Sequence, residues 1–302
     1  MLVWLTYKLL DTPQKIKVVM GAFVIAALVS AIYSIPRGFV GETISESVRI
    51  AGLAGGANTA ARYFIVAIAF ISYLRSENKY FLMRLLLLIA IGILLYGTIL
   101  TLSRTGLLLL AGLISMSFVF QRANKNRLQV IIIIVVAIAV IWTYAENLLG
   151  ILSTILPSVV EGSDTVGLRY GLWQAGLRMW ADHPILGVGM GRYVENLATY
   201  GWDLIPPHRL QLTAHNMYIA VLAETGLVGL GIFLAALIQN IADLRHSGAN
   251  EEKTLSSLSH TWLIVFLLLL LGGVTKTDQI DKLLWISIGI PLAIRQIGTK
   301  TA

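Results

Sequence analysis

Long apolar runs almost free of charge constrain this chain more than any other feature. Residues 81–102, FLMRLLLLIAIGILLYGTILTL, carry Arg84 as their single charge, and 128–145, LQVIIIIVVAIAVIWTYA, carry none. Hydrocarbon offers backbone N–H and C=O groups no partner, so runs of this kind fold as helices that satisfy themselves. About 18 or more such residues suffice to cross a bilayer. About eight spans are expected on this basis, at roughly 18–35, 60–74, 81–102, 105–120, 128–146, 215–240, 261–275 and 283–297. The fold class is therefore all-α, a polytopic membrane helical bundle, with 1–302 read as one membrane domain. The opening MLVWLTYKLL lacks the basic start and small-residue cleavage site of a secretory signal. Val18–Ile35 is expected to act as an uncleaved anchor.

Charge sets the orientation. The chain is 57% hydrophobic, only 13% charged, and carries a net +7. Its lysines and arginines are scattered over short connections, not gathered on one basic face, so nucleic acid is not an expected partner. With the N-terminus inside, 13 basic residues (among them Lys8, Lys15, Lys17, Arg75, Arg84, Arg127, Arg245 and Arg295) and 5 acidic ones fall on the cytoplasmic side. The other side collects 10 basic and 11 acidic residues. Basic residues in short loops are retained inside, so both termini are expected in the cytoplasm. The chain has no cysteine, which removes disulfides, thiolate catalysis and Cys-ligated metals. His183, His208 and His215 would face outward, but no two have helical ligand spacing and no carboxylate cluster accompanies them, so no metal site is expected.

Residues 147–213 form a long outer loop, and a loop of that length usually carries function. Ser163, Asp164 or Thr165 can cap a helix that continues through VGLRYGLWQAGLRMWAD and stops at His183–Pro184. On a helical wheel Leu168, Leu172, Ala175 and Met179 share a stripe, opposite Gln174, Arg178 and Asp182. This amphipathic helix is expected to lie in the membrane interface. Arg169 lines up with Trp173, Gly176 and Trp180, an odd place for a solvated arginine.

Several polar residues on this outer side can carry chemistry. Arg104, in TLSRTG, sits at the turn between the third and fourth spans. It either snorkels at a helix end or binds an anion in a bidentate way, with Ser103 and Thr105 adding hydroxyls. Arg169 has the same two readings. The glycines of GVGMGRY, Gly187, Gly189 and Gly191, do not make a dinucleotide fingerprint. They let the backbone turn sharply, and their N–H groups could line an anion nest. His215 lies where the loop enters the next span, and an imidazole suits proton transfer near neutral pH. Asn216 can cap that helix or orient a hydroxyl. Glu224 lies about 13 Å deeper along the helix, with a structural hydrogen bond as its first reading. The TDQID segment at 277–281 reads as a solvated turn.

LRYGLWQAGLRMWADHPILGVGMGRY followed by AHNMYIAVLAETGLVGLGIF resembles the shared domain of the O-antigen ligase and polymerase family. The matching positions are Arg169, Trp173, Pro184, Gly187, Gly189, Gly191, His215, Asn216, Tyr218, Glu224 and Gly226. LSRTG is similar to the family's arginine-bearing turn and carries Arg104, and RIAGLAGGANTAARY is a weaker likeness. The resemblance covers about residues 45–240. It implies a glycosyltransferase of the bacterial inner membrane with its active site on the periplasmic face. The donor would be a glycan on undecaprenyl diphosphate and the acceptor a hydroxyl, lipid A-core oligosaccharide first among the candidates. Arg104 and Arg169 would hold the diphosphate, and His215 would activate or position the acceptor, with no metal or nucleotide cofactor. Asn216, Tyr218, Trp173, Gly187, Gly189, Gly191 and Glu224 would support the site. The resemblance also implies more spans than are read here, so a shortened N-terminus and an inactive fragment stand among the expectations. The rivals are a repeat-unit polymerase or a protein O-glycosyltransferase of the same family. A polysaccharide transporter ranks lower, because paired charges within spans or repeated halves are not seen.

Overall fold

The computed structural model describes residues 1–39, 52–54, 56–101, 103–120, 165–249, 252–277, 279 and 281–301. Among these residues helices account for the regular structure and there is no strand. Ten α-helices are described: α1 (Leu2–Leu9), α2 (Pro13–Phe39), α3 (Ala57–Glu77), α4 (Phe81–Leu100), α5 (Arg104–Phe120), α6 (Thr165–Asp182), α7 (Tyr193–Gly201), α8 (Met217–Gly248), α9 (Lys253–Gly273) and α10 (Lys282–Thr301). Five stretches are long and apolar enough to cross a membrane: Pro13–Ile35, Ala57–Glu77, Phe81–Leu100, Met217–Gly248 and Lys253–Gly273. Thr105–Ser117 is apolar but shorter. The expected span at 128–146 lies outside the described residues. The expected span at 283–297 does form a helix, α10, but it is not one of the five. Lys282 and Arg295 near its ends and Ser287, Gln296 and Thr299 along it make it less apolar than α4.

The chain divides into two compact units. The first comprises Met1–Ala123, Gln239–Gly272 and Lys282–Ala302. Its centre is α3, where Ala60, Ala61, Phe64, Ile65, Val66, Ala67, Ile68 and Phe70 are all buried. Small residues let neighbouring helices approach closely where hydrocarbon provides no hydrophobic drive. Accordingly a Cβ on Gly106 of α5 would stand 2.8 Å from the Ala61 Cβ. Phe70 meets Phe23 of α2 edge-on at 5.6 Å and Trp262 of α9 at 4.9 Å between ring centroids. Helix α1 packs on α10, and a side chain on Gly289 would collide with Thr6.

The second unit comprises Asn124–Ile238 and Gly273–Asp281. The apolar stripe read from the sequence of α6 is its core. Leu172, Ala175 and Met179 are fully buried with Tyr193 and Leu197 of α7, Ile205, Ala214, and Ala220 and Ala223 of α8. That stripe, amphipathic enough to suit a bilayer surface, is taken up by protein. The polar side is lashed to the turn after α7: the Arg178 guanidinium donates to both carboxylate oxygens of Asp203, at 2.6 and 3.0 Å, and to the Tyr200 carbonyl at 3.2 Å. Hydrogen bonding to Arg178 holds the Asp203 carboxyl below its ordinary range.

Helix α8 is not continuous. Gly226 has φ +64° and ψ −163°, far from helical values. A helix broken at membrane depth frees amides and carbonyls that must find other partners. The turn after α6 supplies them. Val188 and Gly189 donate N–H to the carbonyls of Ala223 and Glu224, both at 2.9 Å, while Leu227 and Val228 donate to the carbonyls of Pro184 and Ile185 at 2.9 and 3.2 Å. Two amides and two carbonyls are thus exchanged on each side. This seam explains the glycines better than a sharp turn alone. Any side chain on Gly187 (φ +68°) would run into the backbone of Glu224 and Thr225, and any on Gly226 into the backbone of Ile185 and Leu186.

Candidate active site

His215 sits where the loop from α7 turns into α8. Its φ of +48° makes it the non-glycine residue with positive φ among the described residues. Histidine is among the residue types that tolerate this left-handed region, and strained positions of this kind gather at functional sites. The span expected from residue 215 begins as a helix at Met217, so His215 stands just outside it. Its neighbours hold it there. Ala214 is fully buried and Asn216 is 7% exposed. Asn216 caps the helix, its Oδ1 accepting the N–H groups of Tyr218 at 2.9 Å and Ile219 at 3.2 Å. Such a cap satisfies donors that the first helical turn leaves open.

The face of α6 that carries Arg169, Trp173 and Gly176 is turned toward this segment. A Cβ on Gly176 would lie 2.7 Å from Ile219 Cγ2, and the Arg169 charge acts on His215. The arginine that looked misplaced on the wheel is thus near enough for its charge to act on the histidine. Trp173 packs on the core, and its indole Nε1, like that of Trp180, is buried without a hydrogen-bond partner. Tyr193 opens α7 and ties three elements together. Its hydroxyl donates to the Leu172 carbonyl, and its N–H donates to Glu224 Oε1 at 3.4 Å. Glu224 thus accepts from the start of α7. Burial, with the Glu224 carboxylate adding to it, raises the Tyr193 pKa well above the ordinary phenol value.

Residues 273–277 pack against the histidine segment, next to the TDQID stretch at 277–281 that the sequence suggests as a solvated turn. Thr277 donates its hydroxyl to Thr213 Oγ1 at 3.2 Å. A Cβ on Gly273 would lie 2.7 Å from Met217 Cε. Asp281 is 9% exposed and pairs with Lys276 at 3.9 Å. Asp281 is thus buried, while Lys276 keeps a partly exposed side chain. Lys276 is a cation that sequence reasoning missed; nothing periodic links it to His215. Burial first, then the positive charges of Arg169 and Lys276, hold the His215 imidazole below its ordinary 6.5. It is therefore neutral near pH 7, with a ring nitrogen able to take a proton.

Other expected residues fall differently. Arg104 begins α5 in the first unit, and its side chain lies outside the described residues. The hydroxyls beside it do not face outward: Ser103 and Thr105 are 2% and 5% exposed. Ser103 Oγ donates to Asn58 Oδ1 at 2.7 Å and accepts the Gly106 N–H at 3.1 Å, capping α5. Of the anion nest suggested by Gly187, Gly189 and Gly191, the Gly187 and Gly189 amides are committed to main-chain carbonyls, as are those of Val188 and Arg192. Arg62 of α3 is a further buried cation, 1% exposed and 5.3 Å from the Tyr63 ring centroid. Its signal in the sequence was its type, since an arginine within a span is costly to bury. Among the described residues no three His, Asp or Glu side chains gather as a metal would require.

Residues 86–234 match the family model described as O-antigen ligase. The resemblance noted over about 45–240 is thereby supported across α4, α5, α6, α7 and the first half of α8. No curated protein matches the chain.

Proposed function

We propose that this chain, whose residues 86–234 match the family model described as O-antigen ligase, transfers a glycan from undecaprenyl diphosphate to an acceptor hydroxyl, with lipid A-core oligosaccharide as the acceptor. The reaction is assigned to the periplasmic face of the bacterial inner membrane and to protein groups alone. The observation that carries the reading is His215, held at φ +48° just ahead of α8 beside the capping Asn216, with the charges of Arg169 and Lys276 acting on it.

The acceptor oxygen attacks the anomeric carbon and forms the new glycosidic bond. The bond from that carbon to the phosphate oxygen breaks, and its electron pair leaves with the lipid diphosphate. The acceptor proton passes to a ring nitrogen of His215, general-base help worth about 10²–10⁴-fold in rate. Negative charge grows on the diphosphate as the bond breaks, so a fixed guanidinium stabilises the transition state more than the ground state. Arg169 takes that role, with Lys276 adding positive potential. Asn216, Tyr218 and Trp173 hold the histidine segment and its facing helix in place.

The test is a surface-glycan gel from a host lacking this gene, complemented with the wild-type protein or with His215→Ala. Loss of all bands above bare core, restored by wild type and not by His215→Ala, is the expected result. Core capped by a single repeat unit would reassign the activity to repeat-unit polymerisation. A normal ladder in the deletion strain would overturn both.

A further inference from the structure

We infer that the turn from Pro184 to Gly191 is a membrane-dipping anchor, whose apolar tip is buried in the lipid bilayer next to the exposed half of α8. The turn is the most exposed apolar feature of the second unit. Ile185, Leu186 and Met190 are 64%, 71% and 84% exposed. Nothing in its local chemistry calls for such residues in water, since a turn at the end of an amphipathic helix is ordinarily polar.

The seam with α8 says what covers it. From Met217 to Gly226 no residue of α8 is exposed, because this half packs on α6 and α7. Exposure begins directly after the break, at Leu227 and Val228, and continues through Ile232, Leu234 and Ile238. A helix half that is apolar and exposed over most of its surface in a membrane protein faces acyl chains. Leu227 and Val228 are the residues whose amides bond to the carbonyls of Pro184 and Ile185. Main-chain hydrogen bonds therefore pin the apolar turn to the level at which lipid-facing surface starts, and the two surfaces are continuous. Polar groups flank the tip. His183 precedes it, and Arg192 follows with an exposed side chain 3.7 Å from Glu195, an arrangement suited to headgroups above a hydrocarbon boundary.

The turn thereby fixes the height of the His215 segment over the bilayer, which is where a lipid-borne donor carries its diphosphate. The inference rests on the membrane reading of α8 and not on the transfer reaction. An experiment that reads no glycan transfer keeps the two apart.

The natural absence of cysteine gives a clean background for labelling. The variants Ile185→Cys, Leu186→Cys and Met190→Cys each carry an environment-sensitive fluorophore in the full-length protein, reconstituted into phosphatidylethanolamine–phosphatidylglycerol vesicles. Glu195→Cys serves as the polar reference on α7 and Ile232→Cys as the lipid-facing reference on α8. Brominated lipids should quench the three turn positions as they quench position 232, and aqueous iodide should quench them several-fold less than position 195. Iodide quenching equal to that at 195 would overturn the inference by placing the turn in water. Protection from both quenchers would overturn it by showing that protein covers the tip.

Discussion

At the scale of single residues, the environment of His215 makes a prediction with a sign. Its folded pKa lies below 6.5, lowered by burial and then by Arg169 and Lys276. The base form therefore persists at pH 6.5 and somewhat lower, and activity is lost only as pH falls through that lowered value. Removing a neighbouring positive charge lets the proton bind more readily. Lys276→Gln should accordingly move the acidic limb of the kcat/KM profile to higher pH, an effect read from initial rates with the glycolipid donor between pH 5 and 8. A limb that stays in place would mean that Lys276 does not act through the imidazole. The histidine was legible in the sequence as an imidazole at the mouth of a span, and a helix cap was one of the two readings of Asn216 there. Lys276 was not, because its closeness to His215 depends on how the 273–281 segment folds back against Thr213 and Met217.

At the scale of elements, the informative feature is the seam between the broken α8 and the turn that mends it. Four glycines of positive φ, Gly187, Gly189, Gly191 and Gly226, sit in or near it, and they should not be equivalent. Gly187 and Gly226 face backbone at contact distance, whereas a Cβ on Gly191 (φ +76°) meets nothing within 4 Å. Gly191→Ala should cost only the left-handed strain of about 1–2 kcal/mol. Gly187→Ala and Gly226→Ala add the loss of seam hydrogen bonds, each worth about 0.5–1.5 kcal/mol. Their total should reach about 3 kcal/mol or more. Thermal unfolding of the purified variants in detergent checks the order, and equal losses at all three positions would contradict the seam. The sequence showed that α6 would be a helix with an apolar stripe, because a 3.6-residue period is visible in one dimension. It did not show that Tyr193, Ala220 and Ala223 would cover that stripe, since amphipathicity names a face and not its partner.

At the scale of the whole molecule, the bias of basic residues predicts both termini in the cytoplasm and α7 outside. Single cysteines in the cysteine-free chain test this directly. A membrane-impermeant thiol reagent should label Glu195→Cys in cells with a permeabilised outer membrane, and should reach Lys8→Cys or Arg245→Cys only after the inner membrane is opened. The reverse pattern would invert the topology. Among the described residues five helices meet the length and apolarity of a span, against eight apolar runs in the sequence, one of which, 128–146, lies outside the described residues. The difference lies partly in α5, which is short, and α10, which is less apolar and packs on α1.

Composition and pattern alone determined that this chain is helical and lives in a membrane, because hydrocarbon admits few backbone solutions and the apolar runs have the length of one of them. Pattern also determined which residue types stood where polar groups are costly. Tertiary structure alone decided that α8 breaks at Gly226, that the turn 184–189 supplies its missing partners, and that the charges of Arg169 and Lys276 act on His215. These are contacts between segments far apart in the chain. Their residues carry no mutual period, and only the packed backbone brings their amides, carbonyls and charges within reach of one another.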